Sequence, residues 1–151
     1  MSQFSVYKGT SGKFGALQFK LLPSTGEIDN VGVVFVEACS STGPNQYDWA
    51  NKIIFALSPV DTGKMLHFMV TAEANGSLSL VHDPNMKGEN QGKVVKTMQF
   101  YTKEGVLGGM MITVSKKENE AVTSHKIPLS GDEVMVLKNL LEAAIPAMFA
   151  W

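Results

Sequence analysis

The chain contains no arginine: all thirteen of its positive residues are lysine. Arginine's flat, two-pronged guanidinium is the usual reader of guanine edges, so its absence argues against sequence-specific reading of a duplex groove. Any phosphate contact must then rest on lysine point charges. Cysteine is nearly absent as well. Cys39 stands alone, which excludes an internal disulfide and a multi-cysteine metal site, and fits a reducing compartment without requiring one. No apolar run approaches the roughly eighteen residues of a bilayer span, so no membrane partner is expected. The polar start MSQFSVYKG has neither the apolar core of a secretion signal nor an Arg/Ser-rich amphipathic stretch. No targeting segment is visible, and localisation stays unknown.

Charge of one sign is also lacking, since the net charge is −1. Non-specific nucleic-acid binders are usually basic overall, so here the placement of the lysines has to carry the argument. What is present is a hydrophobic content of 44 % over 151 residues, enough for a real core and too much for a disordered tail. One domain covering 1–151 is expected.

Strand character runs over 4–8, 14–22, 27–38 and 52–57, separated by clusters such as LLPSTGE and SSTGPNQ, the pattern of an antiparallel meander. Ser58-Pro59-Val60-Asp61 then supplies a serine N-cap, a proline at the first helical position and an acid in the first turn, predicting a helix through about Val70. Further strands over 78–82, 93–101, 110–115 and 121–129 repeat the plan. Ser130-Gly-Asp-Glu133 forms a capping box, and Val134, Leu137, Leu140, Leu141, Ala144, Ile145 and Met148 fall on one helical face. Pro146 is expected to kink or end this helix, leaving 147–151 as a hydrophobic tail. The fold class is therefore α+β.

Several strands are apolar on both faces: Val31-Gly-Val-Val-Phe35-Val, Ile53-Ile-Phe-Ala-Leu57 and Met110-Met-Ile112. Their second faces must be covered by a helix of the same domain, a partner subunit, or flat ligands such as nucleobases. The apolar end PAMFAW favours a subunit.

The run KGTSGKFGAL at 8–17 looks like a nucleotide-phosphate loop. The phosphate loop needs four residues between its glycines and a hydroxyl after the lysine, whereas only two separate Gly9 from Gly12 and Phe14 follows Lys13. A hairpin turn between two strands fits better. Other chemistry is equally sparse. His67, His82 and His125 are scattered with no metal-ligand spacing, and His82-Asp83 reads as a strand-ending pair bonded to a turn rather than as ligands. No serine sits in a G-x-S-x-G elbow, and Cys39 reads as a small core residue. Neither an enzyme nor a cofactor or metal is expected.

Lysines interleave with aromatics along the strands: Tyr7-Lys8, Lys13-Phe14, Phe19-Lys20, Tyr47-x-Trp49-x-x-Lys52, and Lys93-x-x-Lys96-x-x-x-Phe100-Tyr101-x-Lys103. A single-strand binder uses this mixture, because bases stack on rings while a positive groove follows the backbone. Ordinary half-buried strands, aromatic inside and lysine outside, give the same pattern.

Ser5-Val-Tyr-Lys-Gly9, Gln46-Tyr-Asp-Trp49, His82-Asp-Pro84, Gly88, Gly92-Lys-Val with Lys96, Ile127-Pro128 before a long helix, and Trp151 occur in an order that resembles the Whirly family of single-stranded-DNA-binding proteins. The resemblance implies two antiparallel four-stranded sheets packed at a steep angle, with a helix between the halves and a C-terminal helical element. It also implies a homotetramer joined through the helices, and single-stranded DNA lying along the sheets with little sequence preference. On that basis Lys8, Lys13, Lys20, Lys52, Lys93 and Lys96 would meet phosphates. Tyr7, Phe14, Phe19, Tyr47, Phe100 and Tyr101 would offer stacking faces. Trp49, between two meanders, fits core as well. Leu140, Leu141, Ile145, Met148, Phe149 and Trp151 would join the protomers. Thr10, Ser11 and Gly12 interrupt the family's early signature, which puts any assembly beyond the tetramer in doubt. RNA as the ligand, or a transcription-regulating protein scaffold, remain alternatives on the same fold. A bacterial or phage protein and a processed organellar one fit equally.

Overall fold

Alternation of side chains along each strand decides which face meets the core. In the computed structural model, which describes residues 2–83 and 93–151, β1 (Gln3–Tyr7), β2 (Ala16–Leu22) and β3 (Val33–Cys39) run antiparallel. A small hairpin of β4 (Ser41–Gly43) and β5 (Gln46–Tyr47) and a 3-10 turn at Trp49–Asn51 follow, and β6 (Ile53–Leu57) then completes a four-stranded sheet in the order β1-β2-β3-β6. Its inner rows are Phe4–Phe19–Val36–Phe55 and Val6–Leu17–Ala38–Ile53. The outer rows are Ser5–Gln18–Glu37–Ile54 and Gln3–Lys20–Phe35–Ala56.

After α1 (Pro59–Thr71), β7 (Gly76–His82), β8 (Val94–Thr102), β9 (Met110–Glu118) and β10 (Ala121–Leu129) form the second four-stranded antiparallel sheet, ordered β10-β9-β8-β7. Its inner rows are Leu78–Phe100–Ile112–Ile127 and Leu80–Met98–Val114–His125. Both inner faces, α1 and α2 (Gly131–Met148) contribute to one hydrophobic cluster. Burying side chains such as Phe55 and Phe100 contributes about 1.5–3 kcal/mol each. Among the described residues no helix is long and apolar enough to cross a membrane.

The helix starts follow their capping chemistry. Ser58 Oγ accepts from the Asp61 N–H at 3.1 Å and Asp61 Oδ2 accepts from the Ser58 N–H at 3.2 Å, while Ser130 and Glu133 make the same reciprocal pair at the head of α2. Each cap satisfies two otherwise orphaned donors.

Three details differ from the sequence expectation. Pro146 lies inside α2, which continues to Met148. So near the end of the helix the ring removes only one backbone bond, and the β2–β3 loop feeds donors to the last carbonyls: Ser24 N–H reaches Ala147 O at 3.0 Å and Gly32 N–H reaches Met148 O at 2.8 Å. Consequently residues 27–32, expected as strand, form that loop, and β3 begins at Val33. The cluster SSTGPNQ, expected as a plain turn, carries the β4–β5 hairpin.

Candidate nucleic-acid interface

The outer face of the first sheet carries polar and apolar groups side by side because β3, its inner strand, alternates Phe35 and Glu37 on that face. Phe35, Ile54 and Ala56 meet Val81, His82, Asp83 and Lys96 from the second sheet, enclosing an open cleft of about 590 Å³ with an apolar floor. His82 is held there by two contacts. Its ring stacks on Phe55 with centroids 4.1 Å apart, and its Nε2 lies 2.9 Å from Asp61 Oδ2 in the first turn of α1. Thus the expectation that His82 ends a strand and bonds a turn is met by a helix cap instead of a loop.

On the same face Glu37 gathers two lysines from neighbouring strands. Lys52 Nζ is 2.8 Å from its Oε1 and Lys20 Nζ is 3.0 Å from its Oε2. Burial pushes the Glu37 carboxyl up, but the hydrogen bonds and charges of Lys52 and Lys20 together outweigh it and hold the group below its ordinary value.

Beside the cleft, register places Lys96 of β8 directly opposite Lys116 of β9. Like charges facing each other across a ladder destabilise a sheet by several tenths of a kcal/mol, roughly 0.2–1. Lys96 Nζ donates to the Ile54 carbonyl at 2.8 Å, bridging the two sheets at the cleft wall. Burial, and then the Lys116 charge, push the Lys96 ammonium below the ordinary lysine value. Lys116 has a partner of its own in Glu118 at 3.3 Å, a largely exposed pair that offsets little. An anion placed at the pair would relieve the repulsion.

The KGTSGKF turn is built for rigidity at Gly9. Gly9 N–H donates to the Tyr47 hydroxyl at 2.9 Å, its carbonyl accepts from Gly12 N–H at 2.9 Å and Asn45 N–H at 3.0 Å, and a Cβ there would sit 2.7 Å from the Tyr47 ring. Gly12, with φ +76°, supplies the left-handed step that closes the turn. Tyr7 projects from the outer face with its ring tilted against Tyr47, centroids 5.3 Å apart. Lys13 Nζ lies 5.2 Å from the Phe14 ring centroid, a cation over an aromatic face.

Several expected site residues fall elsewhere. Phe19 and Phe100 are core residues, 5 % and 1 % exposed, because strand alternation turns both inward; neither offers a ring to a base. Lys8 is paired with Glu133 at 2.6 Å, so the charge expected to meet phosphate is spent on the head of α2. Leu141 and Met148 are buried in the core of the single chain, which leaves neither exposed to a partner. Leu140, Phe149 and Trp151 do face outward, Ile145 is half-buried, and Met135 and Val136, not anticipated, extend the exposed apolar side of α2. Trp49 is half-buried. Tyr101 stands on the outer face of the second sheet, its hydroxyl bonded to Asn75 Oδ1 at 2.9 Å. The Lys93 carbonyl accepts from Asn119 N–H at 2.6 Å at the entry to β8. Pro84, Gly88 and Gly92, which contributed to the family resemblance, lie outside the described residues. Phe35 and Lys116 were not among the expected site residues. The first sits in a run apolar on both faces, for which sequence alone leaves a helix, a subunit or nucleobases as the cover, and the second becomes informative only once strand register sets it against Lys96.

Cys39 is fully buried, and burial raises its thiol pKa. Among the described residues no three His, Cys, Asp or Glu side chains gather as a metal site.

The fold and this surface define a class: an α+β protein of two antiparallel sheets with an apolar cleft where they meet, Lys96 in its wall and Lys116 opposite Lys96. The model of the family described as Whirly transcription factor matches residues 10–140, and the chain belongs to the Whirly family. It is 29 % identical over 159 residues to the mitochondrial single-stranded DNA-binding protein WHY2 of Arabidopsis thaliana, covering 98 % of this chain and 63 % of that protein. It is 25 % identical over 153 residues to the chloroplastic single-stranded DNA-binding protein WHY1 of Solanum tuberosum, covering 98 % and 54 %. The chain thus spans less than two thirds of the length of these relatives. Among solved structures, WHY1 from Arabidopsis thaliana superposes with a TM-score of 0.81 at 24 % identity, covering 99 % of this chain and 86 % of that one. A guide-RNA-binding protein complex bound to a gRNA gives 0.61 at 10 % identity over 95 % and 88 %. At these identities the likeness is one of fold.

Proposed function

We propose that this protein binds single-stranded DNA with little sequence preference and without catalysing a reaction, serving strands exposed in replication, recombination or repair. The observation that carries the reading is the Lys96–Lys116 pair beside an apolar cleft: two lysines that strand register sets opposite each other, next to a floor of Phe35, Ile54 and Ala56. Phosphates would neutralise the pair while bases cover the floor, and stacking on such a surface is indifferent to base identity. The names of the relatives point the same way. Lys13, Lys96, Lys116 and the Lys20–Lys52 pair are the phosphate contacts of this proposal; Tyr7 and Phe35 are its ring contacts, with Phe14, Tyr47 and Tyr101 at its margins. The exposed apolar side of α2, with Leu140, Ile145, Phe149 and Trp151, is proposed to join protomers into a homotetramer.

Fluorescence anisotropy with labelled oligo-dT, competed by unlabelled single-stranded DNA, RNA and duplex, tests the ligand, and light scattering tests the oligomer. Single-stranded DNA is expected to compete best. Better competition by RNA would replace DNA as the ligand, and a chain that binds nothing at low salt would leave the scaffold reading in its place.

A further inference from the structure

Glu37 sets a nearly buried carboxylate between two lysines on the outer face of the first sheet. Its side chain is only 10 % exposed, it shares a row with Gln18 and Ile54, and it lies on the face turned away from the core. Desolvating a carboxylate there works against folding, and the hydrogen bonds and charges of the two lysines outweigh that cost. What the carboxylate does is fill the space between two ammonium groups. Its two oxygens each take one lysine, Oε1 with Lys52 and Oε2 with Lys20. The two non-bridging oxygens of a nucleic-acid phosphate present the same pair of acceptors. A phosphate arriving at this face therefore meets a slot already held by an anion.

We propose that Glu37 is an affinity-setting residue of the nucleic-acid interface, an internal phosphate substitute that keeps the slot between Lys20 and Lys52 closed to the strand. The lysines remain at the rim of the face, with roughly a third of each side chain exposed, and offer outward N–H groups to passing phosphates. Their joint charge is reduced from two to one. Binding is accordingly weaker and less sensitive to salt than the number of lysines implies. The bases are left the apolar strip beside the triad, since Phe35 stands opposite Lys20 and Ile54 opposite Glu37. This rests on the single-strand-binding reading above.

The test is the salt dependence of oligo-dT affinity for the full chain, for Glu37→Gln and for Glu37→Asp. Each phosphate contact on a single strand adds about 0.7 to the slope of log affinity against log salt. Glu37→Gln is expected to bind more tightly at low salt and to steepen the slope by about 0.7, so that a tenfold rise in salt costs it about five-fold more affinity than it costs the parent. Glu37→Asp retains the charge but its shorter arm cannot span both lysines, and an intermediate slope is expected. It also stands as the test by itself should the glutamine variant not fold. Equal or weaker binding with an unchanged slope, in a variant whose thermal melt shows it folded, would overturn the proposal and make Glu37 a structural counter-ion. Failure of the parent chain to bind oligo-dT would remove the single-strand reading itself, and this inference with it.

Discussion

Lys8 Nζ and Glu133 Oε1 lie 2.6 Å apart, joining the start of the β1–β2 turn to the first turn of α2 across 125 residues of sequence. The pair is partly buried, with 29 % and 26 % of the two side chains exposed, and Glu133 is also the second half of the α2 capping box. Lys8→Glu would set two carboxylates against each other at that junction. A loss of about 1–2 kcal/mol is expected, read as a melting temperature lower by roughly 2–8 °C. Lys13→Glu, exposed at the tip of the same turn, should leave the melt unchanged and weaken strand binding. Equal melts for the two variants would contradict the structural role of Lys8.

Lys116 is expected to trade stability against affinity. Replacing it with glutamine removes the charge facing Lys96 and an exposed pair with Glu118. Chemical denaturation should show a gain of up to about 1 kcal/mol. In the same variant, oligo-dT affinity should fall and its salt slope become shallower by about 0.7. A variant that loses stability and binds unchanged would remove Lys116 from the interface.

Rings of similar chemistry should separate by position. Phe100→Ala empties a fully buried site and is expected to cost about 3–5 kcal/mol of stability, with any loss of binding following the loss of fold. Phe35→Ala, on the cleft floor, should weaken binding by about 1–3 kcal/mol, with a much smaller effect on the melt. Titration of both variants at a temperature where each is folded distinguishes the two roles.

Acid should destabilise the protein through His125. The residue is 6 % exposed, and neither ring nitrogen has a hydrogen-bond partner among the described residues. Burial lowers its pKa, a shift that the Asp48 charge opposes and does not cancel. The folded state thus holds the imidazole neutral, whereas the unfolded chain takes up a proton near pH 6.5. Between those two pKa values the unfolded state binds more protons, so this contribution is complete above about pH 6.5 and is lost as the pH falls below it. Melts of the parent should drop towards pH 5, and His125→Phe should flatten that dependence.

The two sides of α2 predict opposite outcomes for adjacent leucines. Leu140, 48 % exposed, is expected to yield a folded monomer when changed to Glu, and light scattering would show the smaller mass. Leu141, 2 % exposed, is expected to unfold the protein on the same change, because an unpaired carboxylate cannot be accommodated in the core. A tetramer persisting in Leu140→Glu would place the subunit contact elsewhere.

Local pattern alone located nearly every element. Period-two strands, the Ser58 and Ser130 caps and the turn clusters are short-range signals, and α1, α2 and both meanders formed where they pointed. The absence of arginine and the absence of metal or nucleophile spacing likewise narrowed the chemistry before any geometry was known. What local pattern could not decide was pairing. Whether Phe19 and Phe100 face core or solvent depends on strand parity. Whether Lys8 is available depends on Glu133, 125 residues away. Lys20 and Lys52 meet Glu37 only when β2, β3 and β6 lie side by side, and Lys96 opposes Lys116 only in the register adopted by β8 and β9. Charges act through space and not along the chain, so the sequence determined which groups are present, and the tertiary structure alone decided which of them are paired and which face outward.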